Sequence, residues 1–135
     1  MTALLRSGVA PAMIESGGHT VSDTKIETVR SSSSGVVGRS LNNARNHHFV
    51  LDSSTAPEAV SNSEAFLAGI SSCGVTLVEG HARDTGVPLR RMEVTIEGAR
   101  AAAEPNRFQR IAMRFELHGV DQATAERLVD TYKAR

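Results

Sequence analysis

The sequence predicts a single α+β domain built from short antiparallel strands, a buried helix that carries the one cysteine, and a final helix. A chain of 135 residues suffices for one hydrophobic core, since domains commonly contain about 100–150 residues. Two stretches alternate between apolar and polar residues as half-buried strands do, and two others show helical spacing of their apolar residues. The longer helical stretch contains no charged residue from Ala65 to Val78, so we expect it to be buried nearly all round.

The N-terminal part of the chain predicts a loose arm followed by a small sheet. Residues 1–22 lack sustained periodicity and contain Pro11 and several glycines and serines, so we expect a loosely ordered arm and a single domain over residues 23–135. Three short β-like segments then follow, separated by turn-forming residues. They are Lys25–Arg30, Val36–Leu41 and His47–Asp52. Together they predict an antiparallel meander.

The helix that carries Cys73 has recognisable ends. Ser61 and Glu64 have the spacing of a capping box, in which each side chain satisfies a free backbone N–H of the first turn, and Gly86 followed by Pro88 marks the end. One stripe of the helix holds Phe66, Ile70, Cys73 and Leu77. A neighbouring stripe holds the small residues Ala65, Gly69, Ser72 and Thr76. The small stripe is typical of a close contact with another helix.

Two strands and a helix complete the predicted fold. Arg91–Glu97 and Arg110–Leu117 alternate in polarity and predict a hairpin. Their inward residues are Met92, Val94, Ile96, Ile111, Met113, Phe115 and Leu117. Asp121 is the expected N-cap of the last helix, whose inner face holds Ala125, Leu128, Val129 and Tyr132.

Composition excludes several classes of function. Lys plus Arg equal Asp plus Glu at 15 each, so no net field attracts nucleic acid or an anionic membrane. No uncharged run reaches the roughly 20 residues that span a bilayer, and the first residues form no convincing signal-peptide core, so we expect a cytoplasmic protein. Adjacent His47 and His48 would point to opposite faces of a strand, and the sequence contains no metal-ligand spacing and no phosphate loop. We therefore expect no metal and no cofactor.

One phrase of the sequence resembles a known family. The segment Ser61–Gly74, which reads SNSEAFLAGISSCG, is similar to the cysteine-helix opening of the OsmC/Ohr family of hydroperoxide-handling proteins. Segments 86–89 and 94–98, and Phe108–Leu117 with Gly119, also fit. The resemblance runs from about Lys25 to the end. It implies an intertwined homodimer in which antiparallel sheets wrap around two central cysteine-bearing helices, and low aromatic content also favours added burial by a partner subunit.

The resemblance also implies a chemistry for Cys73. Peroxidase members of the family reduce organic hydroperoxides with a reactive thiol, a nearby arginine and glutamate, and a second, resolving thiol. An ordinary thiol needs a nearby cation to ionise at neutral pH before it attacks a peroxide. Cys73 is the candidate thiol. The alternative is an inert core cysteine, since free cysteines are among the most buried residues.

The sequence leaves open which residues would assist Cys73. Arg45 is our first candidate for the activating cation and Arg39 the second, and a solvated surface role is open for each. Ser63 occupies the position of the functional glutamate, while Glu64 matches the next position and either turns inward or serves only the capping box. The resolving cysteine would follow the last helix, near where the given chain ends at Arg135. Either the sequence continues, or an external thiol resolves the sulfenic acid, or the protein performs no peroxide chemistry.

The leading hypothesis is therefore a thiol-dependent reduction of organic hydroperoxides, in which Cys73 attacks, an arginine of the meander activates it, and either an external thiol or a thiol beyond the given residues recycles it. The alternative is a non-enzymatic homodimer that binds a small hydrophobic or thiol-reactive metabolite. A third possibility is a structural member of the family whose cysteine only fills the core.

Overall fold

The computed structural model describes residues 2–4, 13–15, 25–53 and 58–134. Its strands are β1 (Thr2–Leu4), β2 (Met13–Glu15), β3 (Val29–Ser33), β4 (Arg39–Ala44), β5 (His47–Asp52), β6 (Arg91–Ala99) and β7 (Arg110–His118). Its helices are α1 (Asn62–Asp84) and α2 (Gln122–Lys133). All strand pairs are antiparallel, in the orders β1-β2, β3-β4-β5 and β6-β7. The predicted α+β class is confirmed.

The first sheet was not foreseen. β1 and β2 pair within the segment that the sequence predicts to be a loose arm. The rest of that arm, residues 1, 5–12 and 16–22, lies outside the described residues, so the arm and the domain boundary after it stay predictions.

The meander forms as predicted, but two of its strands lie about three residues further along the chain than expected. The turn between β3 and β4 contains Gly35 and Gly38, which both adopt positive φ of 87° and 88°, a conformation that glycine adopts without steric cost. The pair Asn42-Asn43, expected as a turn, lies inside β4 instead. Asn42 is buried there, and its side-chain oxygen accepts a hydrogen bond of 2.7 Å from the Ser31 hydroxyl. The boundaries of β5 are as predicted.

The second half of the chain follows the prediction closely. β6 and β7 form the expected hairpin, and their inward residues are partly buried except Ile111, which is exposed. α2 begins after the predicted N-cap Asp121, whose carboxylate accepts a hydrogen bond of 2.7 Å from the backbone N–H of Thr124. The core lies where α1 and α2 meet the hairpin, around Val78, Ala82 and Leu128.

The burial predicted for α1 is not reached within a single subunit, and burial by a second copy stays a prediction. Only Gly74, Val78 and Ala82 of this helix are buried, because the hairpin and α2 cover one side of it alone. Phe66 is 55% exposed, and Cys73 is also exposed. The uncharged face of α1 therefore has no cover from the described residues of its own subunit.

No helix among the described residues has the length and apolar character needed to cross a membrane.

Candidate functional site

The site is built from the start of α1 outward. Ser61 is the N-cap, and its side-chain oxygen accepts a hydrogen bond of 3.2 Å from the backbone N–H of Glu64. The Glu64 carboxylate in turn accepts a bond of 2.8 Å from the backbone N–H of Ser61. This bond holds the pKa of Glu64 below its ordinary value, because it stabilises the charged form. Of the two roles left open for Glu64, the geometry places it in the capping box.

A group of charged residues connects β4 and β5 to the start of α1. Asp52, the last residue of β5, bridges to Ser61 and is fully buried. Arg39, directly opposite on β4, donates two hydrogen bonds of 2.8 Å to its carboxylate. The backbone N–H groups of Glu58 and Ala59 donate two more, of 3.1 and 3.0 Å. The carboxylate thus accepts charge-assisted bonds at both oxygens.

This arrangement shifts the pKa values of Asp52 and Arg39. The Arg39 guanidinium, above all, lowers the pKa of Asp52 to about 2, with help from the two backbone N–H groups. Glu58 accepts a further bond of 2.7 Å from Arg39, so two carboxylates share one guanidinium. Asp52 in turn raises the pKa of Arg39 further, which keeps this cation fully charged. Sequence reasoning selected Arg39 but missed both carboxylates.

The thiol lies on the open face of α1. Cys73 is free and exposed, and no described side chain hydrogen-bonds to its sulfur. The exposed residues around it are all small or weakly polar. They are Ala68, Gly69, Ser72 and Thr76. On this part of the helix no charged side chain lies beside the thiol, and no side chain shields it from solvent.

Within one subunit the thiol and the predicted arginines lie apart. Cys73 follows Ser61, the neighbour of Asp52, by twelve residues, which corresponds to about 18 Å along a helix axis. Arg45 is exposed in the turn between β4 and β5, with φ of 60°, at the end of the sheet opposite to Arg39. A single subunit thus does not bring Arg39 next to Cys73.

An aromatic cluster at the start of α1 escaped the sequence analysis. The Arg100 guanidinium lies 3.9 Å over the ring of Phe108 and donates a hydrogen bond of 2.9 Å to the Ser63 side chain. Phe108 stacks on Phe66, with ring centroids 6.1 Å apart and planes inclined by 15°. Its ring fills the space over Gly98, where any larger residue would overlap it. A glycine among alternating apolar residues of a strand was the available signal, since such glycines mark close approach by another group.

A cleft lies beyond the thiol along α1. Its volume is about 570 Å³, and it separates the C-terminal half of the helix from the segment that leads into β6. Its lining includes Thr76, Gly80, Val87, Leu89 and Arg90. Thr76 lies one turn after Cys73, so the cleft opens close to the thiol.

No metal-binding group was found in the part of the chain that the structure describes, where no three His, Cys, Asp or Glu residues come together.

These features define the class of protein: an α+β domain with a lone thiol on an uncovered helix. Residues 55–135 match the family model described as OsmC-like protein, which is more than half of the chain. The protein therefore belongs to the OsmC-like family, as the resemblance of the cysteine-helix segment indicates. A comparison with curated protein sequences finds no match.

Solved structures of related proteins share the fold. An OsmC-like protein from Mycoplasma pneumoniae aligns with a TM-score of 0.72 at 14% identity, over 82% of each chain. An organic hydroperoxide resistance protein OsmC from Legionella pneumophila gives 0.64 at 17% identity, over 83% of this chain and 85% of that one. The organic hydroperoxide resistance protein OhrB of Bacillus subtilis gives 0.58 at 14% identity, over 82% and 84%. At such identities the likeness establishes the fold alone.

Proposed function

We propose that the protein reduces organic hydroperoxides with the thiol of Cys73 and that it does so as a homodimer. The observation that carries the proposal is the exposed thiol on the uncharged face of α1. Membership of the OsmC-like family supports it, as do the hydroperoxide-resistance titles of two structural neighbours.

Surfaces that one subunit leaves open support the proposed dimer. Besides the face of α1, both sides of the β3–β5 sheet expose apolar side chains. Leu41 and Val50 pair across one side, at 45% and 38% exposure, and Phe49 is 40% exposed on the other. Contiguous apolar surface of this kind is typical of an interface. In our proposal a second copy covers the helix and the sheet, which agrees with the intertwined arrangement that the sequence resemblance implies.

The reaction needs only the thiol and an external reductant. The Cys73 thiolate attacks one oxygen of the hydroperoxide, the O–O bond breaks, and the alcohol leaves after taking up a proton. The sulfur is oxidised by two electrons to a sulfenic acid. Two equivalents of an external thiol then reduce it, with release of one water and formation of one disulfide. This route uses the one cysteine in the 135 residues and suits a reducing compartment such as the cytoplasm.

Arg39 is the better of the two candidate activators. Its guanidinium is fixed by Asp52 and Glu58, which take the place of the carboxylate missing at Ser63, whereas Arg45 is exposed in a turn. Because Arg39 and Cys73 lie apart within one subunit, we propose that Arg39 of each copy serves the thiol of the other. Fixed arginines of this kind stabilise a thiolate at low entropic cost.

Turnover of cumene hydroperoxide with dithiothreitol tests the proposal. We expect the purified protein to consume peroxide, Cys73→Ser to be inactive, and the matched neighbour Ser72→Ala to retain activity. Arg39→Gln should lower kcat/KM by about tenfold or more, the loss expected when one charge-assisted hydrogen bond to the reacting sulfur is removed, while Arg45→Gln should change it little. An inactive native protein, or an active Cys73→Ser variant, would reject the proposal.

The cleft beyond Thr76 favours a second candidate function. Its lining combines the apolar Val87 and Leu89 with charged residues, which are Glu79, Arg83, Arg90 and Arg91. Such a lining suits a small hydrophobic or thiol-reactive metabolite that also carries a polar group, held without turnover. In that case a ligand would protect Cys73 from alkylation by iodoacetamide, and no hydroperoxide would be consumed. Protection without turnover therefore selects the binding protein over the enzyme.

A further inference from the structure

Two unpaired charges of opposite sign line the cleft beyond the thiol. Glu79 belongs to α1, and Arg90 belongs to the segment that leads into β6. Their side chains form no hydrogen bond or ion pair with any residue that the structure describes, including each other. The other two charged residues of the lining each pair with a nearby carboxylate, Arg83 with Asp84 at 2.9 Å and Arg91 with Glu93 at 3.1 Å.

The position of Arg90 at the edge of the cleft is fixed by its neighbours. Its backbone N–H donates a hydrogen bond of 2.9 Å to the carbonyl oxygen of His118. Gly119, with φ of 94°, lies against its side chain, and a Cβ at that glycine would lie only 2.8 Å from Cγ of Arg90. The arginine therefore needs a glycine there, and a side chain held in this way loses little freedom when it binds a ligand.

Gly80 keeps the cleft open on the side of α1. A glycine inside a helix lowers its stability relative to alanine, yet no described atom lies within 4 Å of the place that a Cβ of Gly80 would take. Packing among the described residues thus does not require this glycine. It follows Cys73 by seven residues on the same flank, which corresponds to two helical turns, or about 10 Å. Thr76 lies between them and also lines the cleft, so the cleft extends toward the thiol.

We propose that this cleft binds the α-amino-acid head group of a small thiol, the external reductant of Cys73, with its carboxylate on Arg90 and its ammonium group on Glu79. A simple anion would be repelled by Glu79 and a simple cation by Arg90, whereas a molecule with both charges satisfies both residues. This assignment rests on the proposed function for the reduction step, whereas binding of the head group does not depend on it.

The reduction proceeds in two steps. The bound thiol attacks the sulfenic acid of Cys73, the hydroxyl group leaves as water, and a mixed disulfide forms. A second molecule of the thiol then attacks the ligand's sulfur in that disulfide. Cys73 leaves as a thiol, and the two ligand molecules are joined by one disulfide.

NMR titration of isotope-labelled protein with an unreactive analogue tests the binding step. Free methionine has the same head group and a methylated sulfur. It should bind about fivefold more tightly than its methyl ester, which lacks the carboxylate, or its N-acetyl derivative, which lacks the ammonium group. Fivefold is the upper range for one exposed ion pair.

Three variants assign the two charges and the open space. Arg90→Gln should remove the preference over the ester, and Glu79→Gln the preference over the acetyl derivative. Gly80→Leu should abolish binding of all three compounds with an unchanged circular dichroism spectrum, because the added side chain fills the cleft. Arg107→Gln removes an arginine outside the cleft that pairs with Glu104, and it should keep every preference.

Reduction of the Cys73 sulfenic acid, prepared with cumene hydroperoxide, tests the role of the site. Per thiolate, homocysteine should react about fivefold faster than mercaptobutyrate, which lacks the ammonium group, or mercaptopropylamine, which lacks the carboxylate. Arg90→Gln should remove the advantage over mercaptopropylamine, and Glu79→Gln that over mercaptobutyrate.

The outcomes separate the site from the proposed function. If no sulfenic acid forms but methionine binds with these preferences, the proposed function fails and the head-group site stands. If methionine binds but homocysteine reacts no faster than its analogues, the role as reductant site is wrong. Equal binding of methionine, its ester and its acetyl derivative overturns the site, as does unchanged binding to Gly80→Leu. Dissociation of the dimer by Arg90→Gln or Glu79→Gln also overturns it, because these charges would then serve the second copy.

Discussion

A charge placed on the open face of α1 tests the homodimer most directly. Ser72 is exposed in the single subunit, next to Cys73 and within the stripe of small residues. An arginine at this position extends into solvent when the subunit is alone. Ser72→Arg should therefore leave the folded subunit intact and act only on association.

The expected loss of dimer stability follows from the removal of water around residue 72 in the proposed dimer. If the two small-residue faces meet, each introduced guanidinium loses its water among Gly69, Thr76 and other uncharged residues. It gains no free carboxylate, because Asp52 and Glu58, the carboxylates that our proposal brings near the thiol, already pair with Arg39. Desolvation of an unpaired ion costs several kcal/mol. At about 4 kcal/mol the dissociation constant of the dimer rises about a thousandfold.

Sedimentation equilibrium over a concentration series measures this change. We expect the native protein to have the mass of a dimer and Ser72→Arg that of a monomer at micromolar concentration, with the same far-ultraviolet circular dichroism. Ala123→Arg is the matched control, since it adds the same charge at an exposed position of α2, and it should remain dimeric. A native monomer, or a Ser72→Arg variant that stays dimeric, would refute the reasoning about the open face.

Three further predictions concern stability. Val78→Ala should lower the free energy of unfolding by about 2 to 3 kcal/mol in urea titrations, because it removes two methyl groups from a fully buried site. Ser61→Ala should lower it by about 1 kcal/mol through loss of the N-cap bond. Asp52, whose pKa is about 2 against an ordinary 3.8, should contribute stability above about pH 4 that is lost as the pH falls toward 2. Asp52→Asn should flatten that part of the pH profile, and an unchanged profile would contradict the ion pair.

Local signals of the sequence predicted the parts of the fold that depend on neighbouring residues. The capping box at Ser61, the N-cap at Asp121 and the alternation of the β6–β7 hairpin each involve residues a few positions apart, and each is found as expected. The strands β3 and β4 lie further along the chain than predicted because two glycines with positive φ fix the position of the turn between them. The sequence shows only a run of serines and glycines there, which does not reveal which residues adopt that conformation.

Contacts between distant segments could not be read in the same way. Arg100 meets Ser63 across 37 positions and Arg39 meets Asp52 across 13, and neither spacing has a periodic signature. In each case the sequence showed only an arginine among other arginines. The pairing became visible when strand register and the packing of Phe108 over Gly98 placed the partners together.

The exposed α1 face shows what the sequence pattern leaves open. An uncharged helix predicts burial, yet the sequence pattern does not show whether the residues that bury it belong to the same subunit or to another. The hairpin and α2 cover the side that holds Gly74 and Val78. The opposite side carries small side chains around Cys73 and one large apolar residue, Phe66, nearer its start. Such a side gains little from contact with a loop but permits two helix backbones to approach closely. In our proposal a second helix covers the uncharged face near Cys73, and the cation for its thiol comes from outside α1, where Arg39 is already fixed by two carboxylates.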